Sequence, residues 1–473
     1  MRKAWYFLAA GALLVLALTV GNPWAQTKPQ TLPIGAGAIG KGPDAIVLPG
    51  YEDVPRPPAF TAEIRAESNR QASLVDYYTP HPAWPGQTRA PKPERSAEYD
   101  VEIVAEGLLR PWSFSILSDG RFLVSERGRG LRIVGADGRL GNLISEGLPI
   151  DFTKRAQELL DNVPDRNFAE NRTIYLLYRV PPPQAGDIGE REEDFPIHYP
   201  QIQMVGRAEL SEDETHLTNF RQLLNAQGIE GRMIQGPDGS LFIDSGPLAG
   251  RAILSRNWTQ SQLPGSLMGK VLRINTDGSI PLDNPFIGVP DTRPEIWAFG
   301  VRDAQSMAFD PAGRLWSAEN GPMGGDELNL IERGKNYGFP VISYGREYTG
   351  ELINGGLTAQ EGLEQPVYFW TPSVAPSGMT FYTGDLFPEW QGNLFMATMS
   401  PNFGRKIVRM VLDETPDGWR VVGEEFLLDE LGGVRFRDVK QGPDGALYAL
   451  SDNGGPSAPG GDDKIYRLVP KAR

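Results

Sequence analysis

The hydrophobic and polar positions of the chain repeat one phrase, in which a tight turn is followed by a short alternating apolar strand. The turn contains Asp-Gly, Ala-Gly or an Asn, which favour tight reversals, and the alternation is typical of a β-strand with one buried face. Four copies are clear and two are weaker. The clear copies are Ser118–Val124, Pro237–Ile243, Pro311–Trp316 and Pro443–Tyr448, and the weaker ones are Phe168–Tyr175 and Trp390–Phe395.

Six copies of one phrase predict an all-β fold, a six-bladed β-propeller in which each copy marks one four-stranded blade. An irregular β-sandwich with frequent hairpins is the alternative, but sandwiches rarely repeat a single phrase. One candidate helix is visible, from about Thr153 to Asp161, in a connection between strands. A propeller gathers loops from every blade at one end of its central channel, so residues far apart in the sequence can meet there.

The segments that precede the repeats have a different composition. Arg2 and Lys3 precede an apolar stretch from about Ala4 to Val20, so residues 1–25 are predicted to be an export signal or an uncleaved anchor. Residues 26–99 are rich in Pro, Gly and Ala and are predicted to be a linker or a surface wrap, and residues 100–473 are assigned to the propeller. Either fate of the N-terminus predicts that the body is periplasmic or secreted.

Composition narrows the function. The 473 residues carry a formal net charge of -14 and no basic run, so we expect no nucleic-acid partner, because phosphate contacts rest on clustered Lys and Arg. Cysteine is absent, which excludes disulfides, thiolate metal sites and a Cys nucleophile. With 40% hydrophobic residues the chain can bury a large core within one domain.

The most informative segment is Glu319–Gly338, which combines glycines, one proline and several carboxylates in a strand followed by a turn. Gly321 and Pro322 offer two adjacent carbonyl oxygens on a backbone that the proline partly fixes. Calcium takes oxygen ligands, backbone carbonyls included. The segment therefore fits a cofactor and calcium loop, and an ordinary Gly-rich turn is the alternative.

Together with Ile296–Gln305 just upstream, this segment resembles the soluble PQQ-dependent glucose/sorbosone (aldose sugar) dehydrogenases, over about Val101 to Leu468. The resemblance implies PQQ and Ca²⁺ as cofactors, with calcium on the carbonyls of Gly321 and Pro322. PQQ is a planar quinone with three carboxylates, and guanidinium forks suit such groups. The residues that match the family's cofactor positions are Arg302, Gln305, Arg435 and Arg437, with Trp370 as a candidate pocket wall or, equally, a core residue.

The catalytic elements of the family are replaced. Its catalytic His lies in a segment such as Gly-His-His-Phe-Gly-Ser-Arg-Leu, and residues 226–233 here read Ala-Gln-Gly-Ile-Glu-Gly-Arg-Met. Gly228 thus takes the base position, and Pro247 replaces the Asp that orients the His. The family element Gly-Gln-Gly-Gly-Leu-Leu-Asp reads Arg-Ala-Gln-Glu-Leu-Leu-Asp at residues 155–161, so its substrate-side Gln is lost or displaced to Gln157. Other family residues, Asn, Pro and Lys, correspond to Asp303, Ala304 and Ser400.

A carboxylate is the natural substitute for the missing base, because general-base catalysis needs a positioned acceptor with a tuned pKa. Asp244 and Glu230 flank the vacated position and are the candidates, although a strand-end cap and a loop charge are the alternative roles. The three histidines, His81, His198 and His216, are expected to be structural or solvent-facing.

The sequence thus predicts a periplasmic PQQ- and calcium-dependent dehydrogenase that oxidises a sugar or related alcohol, with weakened chemistry. A non-catalytic propeller that binds a saccharide or a protein is the alternative. The expected partners are a small sugar or alcohol and an electron acceptor that the sequence does not identify, and a homodimer is compatible with the sequence.

Overall fold

The computed structural model describes residues 82–154, 157–181, 201–228, 230–247, 258–347, 350–400, 405–454 and 461–471, and a small ribbon nearer the N-terminus. The ribbon pairs β1 (Ala38–Ile39) with β2 (Ile46–Val47) in antiparallel fashion. The predicted export signal, residues 1–25, lies outside the described residues. In the described ranges no helix is both long and apolar enough to cross a bilayer.

Six four-stranded antiparallel sheets follow one another around a ring, so the predicted six-bladed propeller is confirmed. The innermost strand of each sheet contacts the innermost strands of its two neighbours, which closes the ring. The first three blades consist of β4 (Pro111–Ile116), β5 (Phe122–Glu126), β6 (Gly130–Val134) and β7 (Leu140–Ile144); β8 (Glu158–Pro164), β9 (Thr173–Val180), β10 (Ile202–Leu210) and β11 (Leu217–Asn225); and β12 (Met233–Gln235), β13 (Leu241–Ser245), β14 (Lys270–Ile274) and β15 (Ile296–Phe299).

The other three blades consist of β16 (Ala304–Phe309), β17 (Leu315–Glu319), β18 (Asp326–Ile331) and β19 (Tyr368–Trp370); β20 (Pro376–Phe381), β21 (Leu394–Thr398), β22 (Ile407–Thr415) and β23 (Gly418–Leu427); and β24 (Phe436–Gln441), β25 (Leu447–Ser451), β26 (Asp463–Pro470) and β3 (Tyr99–Leu108). The last sheet thus takes its outer strand from the beginning of the propeller. Tyr99 pairs with Pro470 and Leu108 with Asp463, so hydrogen bonds between the two ends of the domain close the ring.

All six repeated phrases prove to be the hairpins between the first and second strands of the blades. In the third blade the Asp238 carboxylate accepts a hydrogen bond of 2.9 Å from the Ser240 amide, and Gly239 takes a positive φ of 89°. A short polar side chain that bonds two residues ahead, followed by glycine in the left-handed region, specifies this turn. The phrase therefore fixes one hairpin per blade.

The predicted helix at about Thr153 to Asp161 is wrong, because the innermost strand β8 already begins at Glu158. The first five residues of β8 are all buried, since the strand is covered on both of its faces. A strand buried on both sides loses its alternating pattern and cannot be told from a buried helix by periodicity. Among the described residues the one α-helix is a single turn, α1 (Phe168–Asn171).

The core lies between adjacent sheets rather than inside any one of them. Trp316 of β17, for example, is fully buried and its ring lies 6.1 Å from that of Phe381 on β20, in the next blade. Burying an aromatic side chain of this kind contributes about 1.5 to 3 kcal/mol. Such contacts hold the blades at fixed angles, and so fix the positions of the loops at the ends of the channel.

The described part of the Pro-rich extension, residues 82–98, lies on the fourth and fifth blades as a surface wrap. The Phe369 amide donates to the Gln87 carbonyl at 3.0 Å, and the Glu424 amide donates to the Pro91 carbonyl at 2.9 Å. The Gln87 side chain donates in turn to the Pro366 carbonyl at 2.8 Å. The wrap thus covers part of an exposed sheet edge, which would otherwise offer unpaired backbone groups to another chain.

Candidate active site

The predicted site residues come from the third, fourth and sixth blades but lie at one end of the channel. In antiparallel blades, the start of the innermost strand and the turn between the second and third strands lie at the same end. The loops before β12, β16 and β24 and the turns after β13 and β17 satisfy this condition. They supply Glu230, Arg302, Gln305, Arg435, Arg437, Asp244, Gly321 and Pro322.

Arg437 is the centre of a group of positive charges at this end. Its side chain is buried, and its guanidinium carbon lies 3.2 Å from the ring centroid of Trp112. One terminal nitrogen contacts the Met399 sulfur at 2.7 Å, while Nε and Nη2 have no hydrogen-bond partner among the described residues. A buried guanidinium with unused N–H groups is costly unless something accepts them.

Two further guanidiniums surround Arg437. That of Arg127 stacks on the same Trp112 ring at 4.1 Å, and that of Arg435 contacts the same Met399 sulfur at 2.8 Å. Burial, together with the charges of Arg127 and Arg435, lowers the pKa of Arg437 well below its usual range. Burial also lowers the pKa of Arg127 to about 10. Arg435 is paired with Asp452 at 2.5 Å, so it is chiefly the unused N–H groups of Arg437 that favour an anion at this wall.

On the opposite wall, Gly321 and Pro322 are both buried in a tightly folded turn. The Gly321 amide donates to the Asp326 carboxylate at 2.8 Å. A Cβ on Gly321 would lie 2.0 Å from the Gly324 carbonyl oxygen and 2.7 Å from that of Gly325, so only glycine fits. The turn thus concentrates backbone oxygens in a small space, which is the donor type that a hard cation prefers.

Buried carboxylates surround this turn. Burial raises the pKa of Glu319 to about 7 and that of Asp326 to about 6, and burial with the neighbouring charge of Glu319 raises the pKa of Glu327 well above its usual value. In the described ranges no group of three or more Asp, Glu or His side chains is arranged to hold a metal ion. A cation here would therefore bind mainly to the backbone carbonyls of Gly321 and Pro322, and the carboxylates would supply an attractive field.

Arg302 and Gln305 connect the two walls. The Arg302 amide donates to the Glu319 carboxylate at 2.8 Å, next to the turn of Gly321. The Gln305 amide group donates to Glu230 at 2.7 Å and to both oxygens of Asp303 at 3.1 Å. Asp303 also feels the Glu230 charge, and with burial as the larger cause its pKa rises to about 6.

The two candidate bases differ in access. Asp244 is completely buried, and within the described ranges neither of its carboxylate oxygens has a hydrogen-bond partner. Burial, with the charges of Asp303 and Glu319, raises its pKa well above the usual value. The Glu230 side chain is 27% exposed and is paired with Arg179 at 3.2 Å. Of the two carboxylates, only Glu230 can touch a molecule in the channel.

The backbone around Gly228, the predicted base position, leaves no space for a side chain. The Gly228 amide donates to the Ser245 hydroxyl at 3.1 Å, so the two segments lie against each other. A Cβ on Gly228 would lie 2.5 Å from that hydroxyl oxygen and 2.6 Å from the Gly246 carbonyl oxygen. The correspondence of Gly228 to the family's catalytic histidine stays a prediction, and a histidine would fit here only if Ser245 and Gly246 moved.

Trp370 lies in the core between the fourth and fifth blades. It is 4% exposed, and its indole N–H donates to Glu424 on β23 at 2.6 Å. This is the environment of a core tryptophan, and the role of Trp370 as a pocket wall remains a prediction. His216 lies in a surface turn beside Asp213, and His81 and His198 fall outside the described residues.

Sequence reasoning missed Trp112, Arg127, Arg179, Arg232 and Glu158. Arg232 is buried in the channel, where it donates to Asp438 at 3.1 Å and to the Gln305 carbonyl at 2.8 Å. It also borders a cavity of about 500 Å³ at the other end of the channel, lined by the ends of the innermost strands. Trp112 lies at the start of the innermost strand of the first blade, and Arg127 lies in the turn after the second strand of that blade. These two positions could have identified both residues from the sequence.

Comparison with known proteins finds relatives that match most of the propeller. The sequence model of the glucose/sorbosone dehydrogenases matches residues 108–458. An aldose sugar dehydrogenase of Escherichia coli, YliI, is 35% identical over 368 residues, which cover 75% of this chain and 91% of that protein. The apo-form structure of the soluble aldose sugar dehydrogenase from Escherichia coli has a TM-score of 0.66 at 32% identity, covering 79% of this chain and 100% of that one. The PQQ-bound form of aldose sugar dehydrogenase from Streptomyces coelicolor has a TM-score of 0.57 at 25% identity, covering 79% and 99%.

Proposed function

Because the chain belongs to the glucose/sorbosone dehydrogenase family, we propose that it is a PQQ- and calcium-dependent dehydrogenase that oxidises a sugar or a related alcohol. The observation that carries the proposal is the separation of charge across the site. The guanidiniums of Arg127, Arg435 and Arg437 lie on one wall, with N–H groups of Arg437 that have no partner among the described residues. Buried carboxylates around a turn rich in carbonyls lie on the other. A polyanionic quinone together with a calcium ion is the ligand pair that such walls accept.

The wall that carries Arg127, Arg435 and Arg437, here called the cation-rich wall, fits the carboxylates of PQQ. Arg437 would hold one of them through its Nε and Nη2 groups, and Arg435 and Arg127 would lie close enough to share the charge. Charge-assisted hydrogen bonds of this kind are about twice as strong as neutral ones. When bound, PQQ would accept the hydride, and with it the two electrons, that leaves the alcohol carbon.

The turn of Gly321 and Pro322 fits calcium. Its backbone oxygens would be the protein ligands. The cation would also offset the neighbouring negative charges, which add to burial in raising the pKa of Glu319 and Glu327. Calcium suits this turn better than magnesium, because calcium tolerates irregular sets of carbonyl ligands and magnesium demands octahedral geometry.

The proton of the alcohol requires an acceptor, and a carboxylate takes this role in our proposal. Asp244 on β13 and Glu230 in the loop before β12 are the candidates. A missing general base typically lowers the rate by about 10²- to 10⁴-fold, so we expect slower turnover than in relatives that carry the histidine.

A non-catalytic saccharide-binding propeller is the second candidate. One observation favours it: a side chain at Gly228, the predicted base position, would meet the Gly246 carbonyl oxygen at 2.6 Å. This candidate predicts sugar binding without electron transfer. Export to the periplasm or the medium, and delivery of electrons to an acceptor there, are part of the first proposal.

The test is a dye-linked assay of the purified protein reconstituted with PQQ and calcium, across aldoses, disaccharides and simple alcohols. The proposal expects slow reduction of the dye that depends on both cofactors. Sugar binding seen by calorimetry, with no dye reduction under any of these conditions, would favour the non-catalytic candidate instead.

A further inference from the structure

We propose that Glu158 and Arg179 are positioning residues that hold Glu230 as the proton acceptor of the site. The inference deepens the proposed function and rests on it. It selects one of the two candidate carboxylates and assigns a role to two residues of the second blade that the sequence patterns did not identify.

The three side chains form a continuous chain of ion pairs. Arg179 donates from Nε to Glu158 Oε2 at 2.8 Å and also contacts that oxygen through Nη2, while its Nη1 lies 3.2 Å from Glu230 Oε1. Glu158 is fully buried and Arg179 is 5% exposed, so both are held in place by the surrounding blade. A bidentate guanidinium fixes the direction of its remaining donor. That donor points to Glu230.

Glu230 is also held from its other side. Gln305 Nε2 donates to Glu230 Oε2 at 2.7 Å, so each carboxylate oxygen has one protein partner. An ionised carboxylate has about four acceptor positions, which leaves room for a hydroxyl of a bound substrate. Because the Glu230 side chain is 27% exposed and Asp244 is completely buried, Glu230 is the carboxylate that a substrate can reach.

The two glutamates come from different blades. Glu158 lies on β8 and Glu230 in the loop before β12, yet the fold brings both onto the single guanidinium of Arg179. This guanidinium thus links the buried carboxylate of the second blade to the partly exposed carboxylate of the third.

The charges around Glu230 define how the acceptor behaves. Burial raises its pKa, but the guanidiniums of Arg179, Arg127 and Arg437 outweigh burial and hold the pKa below the usual glutamate value. The negative charges that face it are Glu158, which raises its pKa, and Asp303, to which it is linked through Gln305. Glu230 is therefore ionised at neutral pH, ready to take the hydroxyl proton, and weakly basic, which agrees with slow turnover.

The two partners predict pH effects of opposite sign. Arg179→Gln removes the charge that lowers the pKa of Glu230. The acid limb of the pH profile of kcat/KM, where activity falls as Glu230 is protonated, should therefore move to higher pH by about one unit or more. Glu158→Gln removes a charge that raises this pKa, so the limb should move to lower pH. Glu230→Gln should remove the limb and most of the activity. Arg179→Lys, which keeps the charge, should restore the limb close to that of the unmodified protein.

The experiment follows these variants by three readouts: PQQ binding by quinone absorbance, the pH profile in the dye-linked assay, and infrared titration of the Glu230 carboxylate in the apoprotein. Arg207→Gln is the matched control, because Arg207 makes an exposed pair with Glu209 on β10. Arg179→Gln leaves Glu158 unpaired. If it does not fold for that reason alone, the double variant Glu158→Gln with Arg179→Gln removes both charges. This double variant should still raise the pKa of Glu230 that the infrared titration measures.

Opposite shifts in the two single variants, with PQQ binding retained, would support the inference. Equal losses of activity with no shift of the limb or of the infrared titration would show that Glu158 and Arg179 only stabilise the fold, and would overturn it. Full activity in Glu230→Gln would overturn the choice of acceptor while leaving the proposed function intact. Absence of PQQ binding in the unmodified protein would overturn the proposed function itself.

Discussion

Arg437→Met is the most informative single substitution in the cation-rich wall, because it should affect the apoprotein and the cofactor complex in opposite directions. Methionine keeps much of the side-chain volume against Trp112 and Met399 but removes the charge and the two N–H groups that have no partner within the described ranges. The loss of a charged hydrogen bond should weaken PQQ binding by about 1.5 to 3 kcal/mol. This corresponds to an increase in Kd of about 10- to 150-fold.

The apoprotein should not lose stability in the same substitution. Burial and the charges of Arg127 and Arg435 already disfavour the charged form of Arg437, so removing that charge should leave the thermal midpoint unchanged or raise it. Calorimetric titration with PQQ in excess calcium gives the affinity, and thermal unfolding without cofactor gives the stability.

Arg409→Met is the matched control, because Arg409 is equally buried but has an anionic partner. Its Nη1 lies 2.6 Å from Glu425, so its loss should cost about 3 to 5 kcal/mol of folding stability and leave PQQ affinity unchanged. If Arg437→Met binds PQQ as tightly as the unmodified protein does, the cation-rich wall does not face the cofactor and our reasoning about it is wrong.

Three further predictions concern other parts of the molecule. Gly228→His should not restore fast turnover and should lower stability by about 1 to 3 kcal/mol in urea unfolding, because its Cβ would lie 2.6 Å from the Gly246 carbonyl oxygen; a stable, faster variant would contradict this. Gly321→Ala should abolish the rise in thermal midpoint that calcium produces in the apoprotein, and an unchanged response would exclude this turn as the calcium site. Burial raises the pKa of Glu424, so its contribution to stability is present at acid pH and is lost as the pH rises through the raised value. The thermal midpoint of Glu424→Gln, relative to the unmodified protein, should therefore increase with pH, and a difference independent of pH would refute the assignment.

The fold could be predicted from the sequence because its signal is local and repeated. Each Asp-Gly or Asn turn specifies one hairpin through contacts within a few residues, as Asp238 and Ser240 illustrate. Strand β8 could not be assigned, because burial on both faces erased the alternation that distinguishes a strand from a helix. Its environment is created by neighbouring blades, which local propensity does not encode.

The candidate site could be predicted only where its residues lie in short sequence motifs. Arg302, Gly321 and Arg437 belong to such motifs. The stacking of Arg127 and Arg437 on Trp112 joins a turn of the first blade with strands of the first and last blades, and no local pattern reports it. The sequence predicts that Gly228 takes the place of the family's histidine. It could not predict the contact between Gly228 and the Ser245 hydroxyl, because that contact joins residues 17 positions apart.

The central claim is that this end of the propeller holds PQQ together with calcium. Titration of the purified apoprotein with PQQ, followed by quinone absorbance in excess calcium and again in excess chelator, tests that claim most directly. Our account predicts saturable binding at one PQQ per chain that requires calcium and is lost with the chelator. Absence of binding in millimolar calcium, or binding of equal affinity with and without calcium, would contradict it.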